Sequence, residues 1–352
     1  MAANKNLNKA KAAKMDEFYT RREDIEAELS HYKRFFEGKV VYCNCDDPTW
    51  SEFWQFFVRV FRDWKIKKLM ATHYEPDEKN YAYKLELTDD TNGDGKIDWL
   101  DEPTITQISC NGDFRSDACI DLLKEADIVV TNPPFSLFRE YVMQLMEFDK
   151  KFLIIGPLNA VKYRELFPYI RDSKMWIGYT YPKVFRVPDG VDGKSVFVEN
   201  GVRYQKFGNV QWFTNLDIDK RHETLDLRGN YYTSDTYIKL SNYNAINVNK
   251  VNDIPCDYAD VMAVPISFLS SFNPDQFNLL GRTGELDWAT SDECGFFTPP
   301  SEDVCKILKK QNKTWRVQNG YYITEDGIAH TIYDRLFVIN KHPEERRYPD
   351  ED

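Results

Sequence analysis

A doubly wound α/β sheet followed by a second, mixed and β-leaning domain is the fold that this 352-residue sequence predicts. Three observations carry that reading. Apolar stretches of strand length alternate with amphipathic stretches of helical length through the first half, at the spacing of right-handed βαβ crossovers. A polar loop follows nearly every predicted strand end, where ligands of open α/β sheets bind. Beyond about residue 217 the alternation gives way to short strands in an Asn-, Tyr- and Asp-rich background. Single cores rarely grow past roughly 250–300 residues, so the chain is assigned two domains, 1–217 and 218–352. Residues 76–109 are read as an acidic hairpin inserted into the first.

The elements follow in order. Phe18, Ile25, Leu29 and Tyr32 recur at helical spacing, which predicts one or two helices over residues 1–36, stopped by Gly38. Residues 39–44 form a buried strand. The turn Asp46-Asp47-Pro48 then leads into an aromatic amphipathic helix over 51–64. Strands are predicted at 67–74 and at 105–110, the latter the third of the sheet, ending in Asn111-Gly112-Asp113. A helix over 119–125 precedes the apolar run Ala126 to Thr131, which is a strand. A helix at 137–147, a strand at 152–155 and a helix around 163–167 complete the alternation. Hairpin strands at 196–198 and 210–214 follow, and 237–240 and 336–339 are strands of the second domain.

Composition narrows the function. A net charge of −11 excludes a protein that coats nucleic acid non-specifically, because phosphate binding depends on Lys and Arg. A local basic cleft remains compatible with it, and basic clusters occur at residues 5–14, 21–22, 150–151 and 306–313, each also readable as a solvated face. No apolar run approaches the ~20 residues of a membrane span and the N-terminus is polar, so a soluble cytoplasmic protein, monomeric or weakly dimeric, is expected. The seven cysteines lack metal-ligand spacing and fit reduced thiols. Most of the aromatic side chains, 15% of the chain, are read as core or sheet-face residues.

The most informative motif is Asn132-Pro133-Pro134-Phe135 at the end of the run into Thr131. It offers a side-chain amide, carbonyls beside prolines that have no N–H, and an aromatic ring at a single point. Pro133 restricts Asn132 to extended geometry. These groups suit an amino group carried on a planar ring or amide. A second pattern places Asp90, Asn92, Asp94, Lys96, Asp98 and Asp101 at the ligand spacing of a calcium loop, with Gly95 at its sixth position. Asp101 stands where a bidentate Glu is usual, and the strand-like flanks equally fit an acidic hairpin tip. Any calcium there would be structural, and no catalytic metal is expected.

Taken together, these residues resemble the EcoRI-type adenine-N6 DNA methyltransferases, which depend on S-adenosylmethionine. Asp16-Glu17-Phe18-Tyr19-Thr20 with Asp24-Ile25 is similar to the family's N-terminal cofactor motif, and Val41 through Pro48 to its first-strand loop. Gly112 through Ser116, Ala126 through Phe138, Gly208 through Phe213 and Val264 through Leu269 follow in the same order. Departing from the wider methyltransferase pattern, the first loop carries Asn44, Asp46 and Asp47 in place of Phe-x-Gly-x-Gly, and the ribose-gripping acid is ambiguous, with Glu75 one candidate.

The resemblance implies a methyltransferase sheet joined to a DNA target-recognition domain, with double-stranded DNA as partner, in a methylase of restriction-modification, orphan or phage type, the first of which would have a cognate restriction endonuclease in the same system. It implies that Asn132, Pro133, Pro134 and Phe135 are catalytic. Asn132 and Pro133 would accept from the adenine amino group, and Phe135 would stack on the flipped base with Trp212 or Phe213 on its other side. Tyr19, Thr20, Asn44, Asp46, Asp47, Asp113, Phe114 and Asn132 would bind the cofactor. Of these, Thr20 and Asp46 would hold its methionine end, Asp47 its amino or ribose groups and Asp113 its adenine amino group, with Phe114 over the adenine ring. An amino or amide N-methyltransferase acting on RNA or on a protein glutamine demands the same nitrogen geometry and is the alternative. Pro255-Cys256 would suit a cytosine-C5 enzyme but lies well past the predicted sheet.

Overall fold

The structure is a computed structural model that describes residues 18–45, 48, 51–75, 81–88, 102–187, 193–284 and 296–345. It divides into two compact units, residues 1–170 with 174–218, and residues 171–173 with 219–352. Up to residue 218 the strands and helices are β1 (Tyr19–Thr20), α1 (Arg22–Leu29), β2 (Val40–Cys43), α2 (Glu52–Val60), β3 (Lys68–Thr72), β4 (Tyr83–Leu87) and β5 (Thr104–Gln107). They continue with α3 (Asp117–Glu125), β6 (Ile128–Thr131), α4 (Phe138–Glu147), β7 (Lys151–Pro157), α5 (Phe167–Arg171), β8 (Trp176–Ile177), β9 (Val184–Arg186), β10 (Val196–Glu199), β11 (Val202–Lys206) and β12 (Val210–Thr214).

Eight of these strands form one sheet in the order β5-β4-β3-β2-β6-β7-β12-β8. Its centre, β3-β2-β6-β7, is parallel, and the flanking strands are antiparallel. The chain steps from β2 to β3 on one side and returns to β6 on the other, so the crossover direction reverses between β2 and β6. Such a reversal opens a crevice beyond the strand ends. Both faces of the central strands are covered, which is why their sequences read as unbroken apolar runs. Val41, Leu69, Val130, Leu153 and Trp212 share one core with Ile25 and Leu29 of α1 and Phe53 and Phe57 of α2. On the opposite face Phe138 of α4 packs on Phe213, ring centroids 5.2 Å apart.

A second, four-stranded antiparallel sheet has the order β1-β9-β11-β10. In it Tyr19 pairs with Arg186 and Thr20 with Phe185. The N-terminal strand is therefore held by residues more than 160 positions away in sequence.

Several expectations are corrected. Among the described residues of the 1–36 stretch the helical elements are α1 and a 3₁₀ turn at Lys33–Phe35, and Phe18 precedes a strand; residues 1–17 of that expected helix lie outside the described residues. Residues 104–107 pair as the hairpin reading of 76–109 expects, Tyr83 with Gln107 and Glu86 with Thr104, antiparallel to β4 at the sheet edge. The helix expected at 163–167 lies at 167–171, after a 3₁₀ turn at Leu158–Lys162. β12 belongs to the central sheet, antiparallel to β7, and not to a hairpin with 196–199. Its residues satisfy either pairing by pattern, so only the long-range register decides.

The second unit adds β13 (Ile238–Lys239), β14 (Ile246–Asn247), β15 (Met262–Pro265), β16 (Phe277–Arg282), α6 (Glu302–Gln311), β17 (Tyr321–Ile323), β18 (Ala329–Thr331) and β19 (Arg335–Asn340). Five strands form a mixed sheet, β13-β14-β15-β19-β16, in which β14 and β15 are parallel. Leu308 of α6 packs with Trp315, Tyr321 and Ala329 over the β17-β18 ribbon. Among the described residues, no helix is long and apolar enough to cross a membrane.

Gly156 in β7 has a direct packing role. A Cβ there would lie 2.2 Å from the Phe138 ring, which is fully buried and cannot swing aside. Gly156→Ala should therefore destabilise the protein by about 1–3 kcal/mol, the usual cost of overpacking, read as a lower urea midpoint that Phe138→Leu partly restores. An unchanged midpoint would contradict this packing.

Candidate active site

The crevice between β2 and β6 is tied shut at its base by polar contacts. The Cys45 backbone N–H donates to Thr131 Oγ1 at 3.2 Å, joining the two strand ends. Asn132 follows directly, with 7% of its surface exposed. The two prolines keep the chain extended before Leu137 N donates to the Pro134 carbonyl at 2.9 Å and starts the turn into α4. That bond occupies Pro134. Among the described residues no donor is hydrogen-bonded to the Pro133 carbonyl.

The Asn132 side chain is oriented from the far end of the sequence. Its Nδ2 donates to the backbone carbonyl of Phe18, immediately before β1. An amide has one donor end and one acceptor end, so this bond fixes Oδ1 as the acceptor side. Phe18 is anchored in turn by aromatic contacts, with its ring centroid 4.7 Å from Phe207 and 5.7 Å from Phe135. Phe185 packs edge-on against both Phe135 and Phe207. Two residues on, Thr20 is buried, and among the described residues no hydrogen bond satisfies its Oγ1. A buried hydroxyl without a partner is costly, and this one lies two residues from the carbonyl that holds Asn132.

A second set of residues lies around α4. Asn44, buried at the end of β2, accepts a hydrogen bond at Oδ1 from the Tyr141 hydroxyl. The Tyr141 ring meets Phe114 edge-on at 5.0 Å, and Gln144 donates to the Phe114 carbonyl at 3.2 Å. Burial holds the Tyr141 phenol well above its ordinary pKa, so it stays a donor. Beside Phe114, Asp113 takes two bonds from Arg115, 2.9 Å from Nε and 2.6 Å from Nη2. The loop reaches this place because Gly112 has φ +81° and a Cβ there would lie 2.1 Å from the His73 carbonyl. Glu75 N donates to the Asn111 carbonyl at 2.8 Å, which brings the ribose candidate to the same loop.

Comparison with known proteins decides the family. The sequence profile described as "Adenine-specific methyltransferase EcoRI" matches residues 6–341. The chain belongs to this EcoRI-type adenine-specific methyltransferase family. It is 44% identical to the type II methyltransferase M.EcoRI of Escherichia coli over 314 residues, covering 84% of this chain and 95% of that one. It is 41% identical to the type II methyltransferase M.MpnI of Mycoplasma pneumoniae over 282 residues, covering 78% and 84%. With M.MgeORF184P of Mycoplasma genitalium it shares 37% over 283 residues, covering 78% and 85%. No solved structure matches the chain.

The family works with S-adenosylmethionine, and residues present here fit that cofactor, the partnerless Thr20 Oγ1 foremost. The structure brings Tyr19, Thr20, Asn132 and Phe135 together through Phe18, and Asn44, Asp113 and Phe114 together through Tyr141 and its neighbours. Trp212 and Phe213 lie deeper than a base pocket requires. Both are fully buried on opposite faces of β12, one beside Phe53 and the other on Phe138. Adjacent residues of a strand point to opposite faces, which the motif alone did not reveal. Asp46, Asp47 and the calcium pattern at 90–101 lie outside the described residues. Among those described, no cluster of three metal-ligating side chains occurs.

Two contributors escaped sequence reading. Tyr141 sits one turn after Phe138 on the apolar face of α4 and reads as core, although its hydroxyl holds Asn44. Glu28 sits in a polar helix and reads as solvated, yet it is fully buried.

The hydrogen bonds from Arg115 hold the Asp113 carboxyl below the usual carboxylate range. A carboxyl whose folded value is depressed stabilises the fold above its unfolded value and loses that contribution as pH falls through the folded one. Arg115→Ala should therefore shift the Asp113 midpoint upward in a carboxyl-carbon NMR titration. A midpoint indifferent to Arg115 would remove the pair from the site.

Proposed function

We propose that this enzyme methylates N6 of an adenine swung out of double-stranded DNA, with Asn132-Pro133-Pro134-Phe135 as its catalytic loop. The observation that carries the reading is the oriented amide of Asn132 at the sheet's reversal point, clamped by Phe18 beside a buried and partnerless Thr20 hydroxyl. Adenine N6 is a weak nucleophile because its lone pair is delocalised into the ring. Acceptance of its two N–H groups by Asn132 Oδ1 and the Pro133 carbonyl concentrates that lone pair on nitrogen and aims it. The contribution is positional and electrostatic. When bound, the cofactor supplies a sulfonium methyl with its leaving group already built in, so no covalent residue is needed.

Thr20 and Asp46 are assigned to the cofactor's methionine end, Asp47 to its amino or ribose groups, Asp113 to its adenine amino group and Phe114 to its ring face, with Tyr19 and Asn44 completing the set. Phe135, packed against Phe18 and Phe185, is assigned to stack on the base. The second unit is assigned to target recognition, a role that rests on the resemblance to the EcoRI-type family. The relatives' names as type II methyltransferases support a restriction-modification setting, and an endonuclease of the same specificity is assigned as the functional counterpart.

Purified protein with radiolabelled cofactor and duplex DNA should place label on adenine. Asn132→Ala should cut the rate by roughly 100- to 1,000-fold, the scale of losing a transition-state hydrogen-bonding group, while cofactor binding largely survives. Label in RNA or in a protein glutamine but never in DNA would defeat the proposal.

A further inference from the structure

Glu28 is the one fully buried charged side chain among the described residues of the first unit. It lies one residue from the end of α1. Each of its four hydrogen-bond partners is a donor. Oε1 accepts from the Tyr32 hydroxyl and from Tyr179 N, both at 2.8 Å. Oε2 accepts from Thr180 N at 2.6 Å and from Thr180 Oγ1 at 2.7 Å. A carboxylate is the side chain that can accept at both ends, and charge-assisted bonds of this length offset the cost of its burial.

The surroundings are shaped for it. A Cβ on Gly178 would lie 2.2 Å from Glu28 Oε1, so glycine leaves the space that the carboxylate fills. Gly178 N is itself bonded to the Trp212 carbonyl at 2.9 Å, which fixes the segment against β12. Three of the four bonds to Glu28 come from residues 179 and 180, in the stretch that leaves β8 and enters β9. β9 pairs with β1, and β1 directly follows the Phe18 carbonyl that receives the Asn132 amide. The β1-α1 arm and the arm from 178 to 186 are thus clasped twice, by strand pairing at one end and by Glu28 at the other.

We infer that Glu28 is a positioning residue for methyl transfer, holding β1 so that the Phe18 carbonyl sets the orientation of Asn132. This rests on the reading of Asn132 as catalytic. Glu28→Gln puts an NH₂ against a backbone N–H, that of Tyr179 or of Thr180, whichever way the amide turns, and so breaks at least one of the bonds that bridge the two arms. Misplacement of a reacting group by a fraction of an ångström to an ångström lowers rates by about 10- to 100-fold.

The test measures single-turnover methylation of duplex DNA at saturating cofactor, alongside thermal melting, for wild type, Glu28→Gln, Thr180→Val, Tyr32→Phe and Asn132→Ala. Glu28→Gln and Thr180→Val, which cut the bonds that bridge the two arms, should slow the single turnover by roughly tenfold or more. Tyr32→Phe removes a bond that stays on the α1 side, and should lower the melting temperature with the rate retained. If Glu28→Gln does not fold, the contrast between Thr180→Val and Tyr32→Phe carries the test. Rates equal to wild type in Glu28→Gln and Thr180→Val, or an equal rate loss in Tyr32→Phe, would reduce Glu28 to a purely stabilising residue. An active Asn132→Ala would instead overturn the assignment of the catalytic loop.

Discussion

A single hydrogen bond, from the Asn132 side-chain amide to the Phe18 carbonyl, sets the terms for the rest of the first unit. A terminal amide can sit in either of two orientations, and only one presents an acceptor to an incoming amino group. The choice is made here by a backbone carbonyl that lies outside the main sheet. That carbonyl must be immobile, and the small antiparallel sheet and the cluster of Phe18, Phe135, Phe185 and Phe207 make it so. The main sheet supplies the place for chemistry, and the small sheet supplies its orientation.

Both units surround a buried charged side chain largely with neutral hydrogen-bonding groups. In the first, Glu28 is surrounded by two peptide N–H groups and two hydroxyls. In the second, the buried Arg335 guanidinium donates to Asn247 Oδ1 at 3.1 Å, to Asn249 Oδ1 at 3.3 Å and to the Tyr333 carbonyl at 3.4 Å. Burial lowers its pKa from the ordinary value. Neutral dipoles solvate each charge in place of water. Such arrangements tie together segments remote in sequence and tolerate little rearrangement, because each lost partner leaves part of a charge unsolvated.

The parallel core was readable because its strands are buried on both faces and the loops that follow them are polar. Val40 through Asn44 and Ile128 through Asn132 announce themselves by composition alone. Asn132-Pro133-Pro134-Phe135 was readable for a local reason as well, since proline fixes the exit geometry of the strand wherever it occurs. Partner choice was not readable. Residues 210–214 carry a strand pattern that fits several neighbours, and their antiparallel place at the flank depends on a pairing across the sheet. For the same reason Trp212 and Phe213 were expected at a pocket, while the register buries one on each face. Glu28 was invisible because its four partners are backbone groups and hydroxyls, which leave no charge pattern in the sequence.

The reach of β1 across the chain also dictates when the site comes into being. The contact from Asn132 to Phe18 spans 114 residues and that from Thr180 to Glu28 spans 152. At equilibrium such loops are inexpensive, since each doubling of loop length adds only about 0.6 kcal/mol. In time they are not, because chains grow at roughly 5–20 residues per second. A nascent chain exposes its complete catalytic loop on the order of several seconds before β9 and β11 emerge to hold β1. The residues of the reaction are thus made first and their alignment last, so that competence arrives with the completion of the unit as a whole.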